Sequence, residues 1–322
     1  MRKQVLKSKF PGALVGTGVG DALGVPFEGC LEVALEEIDE IAERQEVLSY
    51  TDDTHMMISV AESLIRNKGF DGKDMAHTFA RNYELEPFRG YGPGPPHIFR
   101  LVKTGVAWDE AAQRVYQGGS YGNGSAMRIA PIGVLYHDNP VMLREVAYKS
   151  SQITHAHQLG KEGAALQAYA IALATNLEPT SGLDRRDFLA RLINYVPEGV
   201  YREKLNKIEA LLRQPDKDKV VIELGNGIEA FNSVPTAIYS FLSQPHSFAR
   251  AVLHAISLGG DTDTIGAMTG AISGAYLGFD SIPARWRDRL ENRHYIEELA
   301  ERLCNVWKGN ILIDETLKEA YG

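Results

Sequence analysis

Apolar positions recur at helical spacing along most of the chain. Met57, Val60, Ala61, Leu64 and Ile65 lie on one face of a helix, and Lys161 to Ala174 is an alanine-rich run that favours the same conformation. Leu189 to Val196, Leu205 to Leu212, and Ile296, Leu299, Leu303, Val306 and Trp307 carry similar stripes. Alternating β-branched runs bounded by hairpin turns hardly occur, so the pattern predicts an all-α domain of many helices joined by functional loops. Gln214 to Lys219 reads as an exposed polar loop, and Glu223 to Leu242 reads as packed helix after it. No linker divides the chain, and residues 1–322 are expected to form one domain.

Two segments break the usual helix composition. Gly12, Gly16, Gly20 and Gly24 recur every fourth residue, as do Gly266, Gly270, Gly274 and Gly278. On a helix each set makes a nearly flat face, and each interior glycine costs about 1 kcal/mol relative to alanine. Close backbone approach between two central helices would offset that cost. A membrane-spanning pair would use the same device, but Asp21, Asp261 and Asp263 stand beside these faces.

Composition narrows the partners. The chain has 34 Lys+Arg against 42 Asp+Glu, a net charge of −8, and 44% hydrophobic residues, which excludes disorder. An acidic chain lacks the basic footprint of a duplex nucleic-acid binder. No window reaches the roughly 18 apolar residues of a membrane span, and the glycines and Asp21 spoil the signal-peptide likeness of the first 24 residues. Cys30 and Cys304 are too few for a disulfide framework and too far apart for a clustered zinc site, so a reducing cytoplasm is expected; a monomer is expected beside it.

Acids at two helix starts carry the candidate chemistry. Thr51-Asp52-Asp53-Thr54 opens one helix, and Asp261-Thr262-Asp263-Thr264 opens another. Capping of free backbone N–H groups accounts for one or two such residues at each place. Paired carboxylates with interleaved hydroxyls also form an all-oxygen ligand set for a hard divalent ion, and the sequence leaves both readings open. Gly118 to Ser125 is a dense glycine and serine loop able to present successive N–H groups to phosphate oxygens, or simply a turn cluster. It lacks the Gly-Lys-Ser/Thr of a nucleotide triphosphatase loop and the strand context of a dinucleotide fold. Asp261-Thr262-Asp263 does not fit an aspartyl-phosphatase motif, because Ile265 replaces the expected Thr or Val and no βαβ rhythm surrounds it.

Five ordered motifs together resemble the ADP-ribosylglycohydrolase family: Gly20 to Glu28, Tyr50 to Thr54, Gly119 to Arg128, Ile153 to His157, and Leu258 to Ile265. Arg89 to Gly94 and Glu223 to Leu242 are similar to the ADP-ribosylhydrolase 3 branch, which acts on serine-linked ADP-ribose, poly(ADP-ribose) and O-acetyl-ADP-ribose. The resemblance implies an all-α fold holding two Mg²⁺ ions, with Mn²⁺ as a substitute, on Thr51, Asp52, Asp53, Asp261, Asp263 and Thr264. It implies that Glu28 is a mobile catalytic glutamate acting with Asp52, Asp53 and Asp263. By the same resemblance Gly119, Ser120, Tyr121, Gly122 and Asn123 hold the diphosphate and adenosine side, His155 lies near the distal ribose and phosphate, and Ile228 meets the adenosine end. An aromatic expected just before the loop aligns with Val115, or with Tyr116 after a one-residue shift. ADP-ribose, ADP-ribosylated proteins and poly(ADP-ribose) are the implied partners.

Other residues fit blander roles. His155 and His157 lack a third zinc ligand and read as substrate contact or helix cap; His55 is either a support for the acid cluster or a surface residue. Trp108, Trp286 and Trp307 read as packing residues, and Arg285, Arg287, Arg289 and Arg293 as a solvated helix face. An arginine-linked ADP-ribose hydrolase, a non-catalytic ADP-ribose binder and an unrelated Mg²⁺ phosphohydrolase are the rival functions.

Overall fold

Short polar side chains mark where helices begin. Thr51, Asp71, Asn139, Asp184, Asp216 and Ser247 each stand at an N-cap and accept a hydrogen bond from a free N–H of the first turn. The computed structural model describes residues 2–321, with side chains from Leu6 to Gly309. Among the described residues there are seventeen α-helices, four short 3₁₀ turns and no strand. Two isolated bridges, Leu48 with Leu290 and Gly122 with Glu229, are the extended pairings. The all-α expectation therefore holds.

Two glycine-faced helices occupy the centre. Arg2–Gly24 lies antiparallel against Thr262–Leu277, pairing Gly16 with Gly270 and Gly20 with Gly266. A Cβ on Gly20 would sit 2.1 Å from the Gly266 carbonyl oxygen, and one on Gly270 would sit 2.1 Å from that of Gly16. No side chain fits there. Gly278 departs from the pattern: it follows the helix with φ +87°, so it ends the second helix and does not extend its glycine face.

Around this pair pack Gln158–Asn176, Ala230–Ser243, Phe248–Ser257, Asp52–Asn67 and the final helix Arg293–Tyr321. Phe10, Phe241, Tyr276 and Trp286 are buried in the continuous apolar core, each worth about 2 to 3 kcal/mol of transfer free energy. Lys9 reaches through this layer to donate to the Ala174 and Leu177 carbonyls at the C-terminal end of Gln158–Asn176.

Three sequence expectations need correction. Glu223 to Leu242 is not one helix, because Lys217–Leu224 ends at Gly225 (φ +84°) and a loop runs to Glu229 before Ala230–Ser243 begins. Asp216 caps a helix that already starts inside the polar stretch Gln214 to Lys219. The arginines do not form one solvated helix face: Arg285 pairs with Asp39 and Glu43, while Arg289 donates to the Ala42 and Gln45 carbonyls, so both fasten the helix Leu35–Arg44. Trp286 and Trp307 are buried, and Trp108 packs over Gly72, as packing residues should.

Candidate active site

The antiparallel central pair decides where the acids meet. It sets the C-terminal end of Arg2–Gly24 against the N-terminal end of Thr262–Leu277, where the Thr262 hydroxyl donates to the Gly24 carbonyl at 2.8 Å. Asp21, wholly buried, accepts from the backbone N–H and the hydroxyl of both Thr51 and Thr54, at 2.6 to 3.1 Å. That grip brings the start of Asp52–Asn67 to the same place. Two helix N-termini thus converge, and their partial positive ends favour nearby carboxylates.

Glu28, Thr51, Asp52, Asp53, Asp261, Asp263 and Thr264 line one cleft of about 260 Å³. One carboxylate oxygen from each of Glu28, Asp261 and Asp263 lies within 4.8 Å of the others. Burial pushes the Asp52 carboxyl up to about 7 and that of Asp263 to about 9, with Asp21 repelling the first and Asp261 the second. Asp53 is raised by burial and by its acidic neighbours Asp21 and Asp263.

Capping does not account for this cluster. Thr51 accepts from the Asp53 N–H and Asp263 from the Thr264 N–H, but Asp261 caps nothing and Asp53 Oδ2 is buried with no hydrogen-bond partner among the described residues. A buried, unpaired carboxylate oxygen among mutually repelling acids is a poor arrangement by itself and a suitable one for a hard divalent cation. The donor set fits such an ion.

Glu28 sits on an exposed loop after the turn Val25–Phe27. The loop is tied to the second acid segment, with the Gly29 N–H donating to Gly260 and the Gly260 N–H to Cys30, both at 2.8 Å. Gly259 and Gly260 take φ +69° and +76°, and a Cβ on Gly259 would strike the Leu31 carbonyl oxygen at 2.3 Å. On the other side the Asn226 carbonyl accepts the Asp261 N–H at 2.8 Å.

The glycine-rich loop forms the opposite wall. Ser120, Gly122, Asn123 and Gly124 line the cleft with His155 and Ile228. The Asn123 N–H donates to Ile228, the Ala230 N–H donates to Tyr121, and the Asn123 carboxamide donates to Asp261 and Ser233. Gly119 and Tyr121 do not line it. Gly119 (φ +83°) packs against the Ala156–His157 backbone, and the Tyr121 ring sits 5.5 Å from His157 and 6.0 Å from Phe231. The backbone N–H of Ser120, on the cleft wall, makes no hydrogen bond within the described chain and is free to donate to an anion. Tyr116 lines the mouth, whereas Val115 packs beside Leu101 in a separate surface depression. His157 caps Gln158–Asn176, and His55 is buried with its Nδ1 2.9 Å from the Tyr91 hydroxyl.

Sequence reasoning gave no role to Asp21 or Arg128. Asp21 had one available signal, a charged residue within a glycine-faced helix. Arg128, which is buried, was marked only as the last residue of the Gly119 to Arg128 motif, because nothing local distinguishes an arginine that will be buried.

A model of the ADP-ribosylglycohydrolase family matches residues 2–311. The human ADP-ribosylhydrolase ARH3 is 38% identical over 94% of both chains, and an uncharacterized protein of Archaeoglobus fulgidus is 32% identical over 94% of this chain and 97% of its own. The ADP-ribosylarginine hydrolase Tri1 of Serratia proteamaculans is 27% identical over 92% of this chain and 78% of its own. A solved ADP-ribosylglycohydrolase-related protein complex contains a chain that superposes with a TM-score of 0.74 at 27% identity, over 94% of this chain and 99% of that one. An acid-lined cleft at the end of a glycine-paired helix core, together with a match along nearly the whole sequence, places this chain in the ADP-ribosylglycohydrolase family.

Proposed function

We propose that this chain hydrolyses the O-glycosidic bond of ADP-ribose conjugates, serine-linked ADP-ribose, poly(ADP-ribose) or O-acetyl-ADP-ribose, and releases ADP-ribose. The observation that carries the reading is the meeting of Asp52, Asp53, Asp261 and Asp263 from two helix starts, opposite a glycine loop that presents the free Ser120 N–H. Two Mg²⁺ ions, or Mn²⁺ in their place, held by these four acids with Thr51 and Thr264, would anchor ribose hydroxyls and acidify a water.

The chain's own residues then have distinct tasks. Ser120, Gly122, Asn123 and His155 hold the diphosphate, while Tyr116 and Ile228 flank the adenosine at the mouth. Cleavage at the anomeric carbon passes through oxocarbenium-like charge, which the acidic wall stabilises. Glu28, at the open side of the cleft, moves the proton between water or leaving oxygen and solvent, and its hinge is the loop between Gly24 and Gly29.

The 38% identity with ARH3, against 27% with the arginine hydrolase Tri1, favours the O-linked reading. Incubating the protein with serine- and arginine-linked ADP-ribosyl peptides and with polymer, with and without chelator, tests it. ADP-ribose released from the serine peptide only without chelator is the expected result. Release from arginine alone would favour the rival linkage, inorganic phosphate a phosphohydrolase, and binding without turnover a non-catalytic relative. A monomer in the cytoplasm belongs to the same proposal; unpaired Cys30 and Cys304 suit a reducing compartment. Among the described residues no helix is long and apolar enough to cross a membrane.

A further inference from the structure

His155 faces the cleft with its Nε2 beside Gly122 and Gly124, where a Cβ on Gly124 would stand 3.0 Å from that nitrogen. Among the described residues Nε2 makes no hydrogen bond; Nδ1 lies 2.8 Å from the Thr154 hydroxyl. Thr154 is buried and takes a hydrogen bond of 2.9 Å from Arg128, itself buried and held by the Ser150 carbonyl and the face of Phe79.

A guanidinium only donates, so Thr154 must accept from Arg128. The hydroxyl then has one proton to place, and His155 Nδ1 is the acceptor within reach. The reverse arrangement, with a proton on Nδ1, would leave the buried Thr154 hydroxyl with no acceptor. We infer that Arg128 and Thr154 are positioning residues that lock His155 as the neutral tautomer with its proton on Nε2, making it a fixed N–H donor for a phosphate oxygen. Burial and the neighbouring Arg128 charge also push the imidazole down to about 3, so the ring stays uncharged. The cleft gains an anion donor that neither pairs with its carboxylates nor acts as an acid.

The choice of phosphate oxygen rests on the proposed ADP-ribose reading, but the tautomer does not. Long-range ¹H–¹⁵N correlation spectra of the labelled full chain, with His155 identified by its loss in His155→Gln, read it directly. A pyrrole-like Nε2 with a pyridine-like Nδ1 is expected at neutral pH; the opposite pattern, or two protonated nitrogens, would overturn the proposal. Thr154→Val should mix the tautomers and weaken ADP-ribose binding about tenfold, the scale of one misdirected hydrogen bond, with Thr154→Ser restoring both. If Thr154→Val fails to fold, the wild-type and Thr154→Ser spectra still decide. The expected tautomer in a chain that binds no ADP-ribose would support the relay and defeat the functional reading instead.

Discussion

One helix pair carries two opposite environments along a single seam. Between Gly12 and Gly20 the backbones of Arg2–Gly24 and Thr262–Leu277 touch without side chains, and the interface is buried and uncharged. A few residues further, at Asp261 and Asp263, with Asp21 buried behind them, the same seam opens into a cleft of crowded carboxylates. The first region tolerates nothing larger than hydrogen; the second holds charges that repel each other. The contrast shows how the fold accommodates an unfavourable site: close packing behind it fixes two helix ends at a separation the acids alone would never choose.

The comparison breaks most severely in the glycine seam. Gly270→Val places new carbons against the Gly16 carbonyl, where only backbone could give way, and should destabilise the chain by about 3 kcal/mol or more. Urea unfolding followed by helical circular dichroism measures it, and a wild-type midpoint would show that the close approach is not required. Asp263→Ala strikes the other region. It should abolish ADP-ribose release, by about 10³-fold or more, while leaving the helical spectrum intact and the metal-free melting temperature unchanged or raised, because a carboxyl whose ionisation burial and Asp261 oppose is gone. Full activity in that variant would remove the acid-centred scheme.

Metal removal sharpens the contrast through pH. The buried acids have carboxyl values raised above their unfolded value of 3.8, to about 7 at Asp52 and about 9 at Asp263, so the metal-free folded state holds more protons than the unfolded one. Its stability must fall as pH rises through that window. Thermal melts in chelator should therefore drop by several degrees between pH 5 and 8, and excess Mg²⁺ should flatten the slope. A flat profile in chelator would mean that burial and mutual repulsion do not raise these carboxyls.

The smallest effect belongs to the mouth. Tyr116→Ala should weaken ADP-ribose binding about tenfold, the scale of one lost base stack, with little change in melting temperature. Val115→Ala should leave binding unaltered; calorimetric titration of both separates the two alignments.

Much of this was legible before the fold. Thr51 to Thr54 and Asp261 to Thr264 announce themselves as excess acid at helix starts, and the glycine repeats announce a close crossing, since both are local patterns with a physical cost. The break at Gly225 inside Glu223 to Leu242 was less visible, because apolar residues on either side of one glycine read as a continuous stripe. Nor was the direction of the Tyr121 ring visible: its neighbours line the cleft, but the ring lies beside His157 and Phe231.

By itself the amino-acid order determined helix content, the glycine faces and the chemical character of both acid segments, because periodicity, propensity and capping act within a few residues. Tertiary structure alone decided that Asp21 holds Thr51 and Thr54, that Asp53 keeps an unpaired buried oxygen, and that Arg128 stands behind Thr154 and His155. Those relations join residues tens of positions apart, and desolvation and hydrogen-bond direction come into being only once packing has removed the water between them.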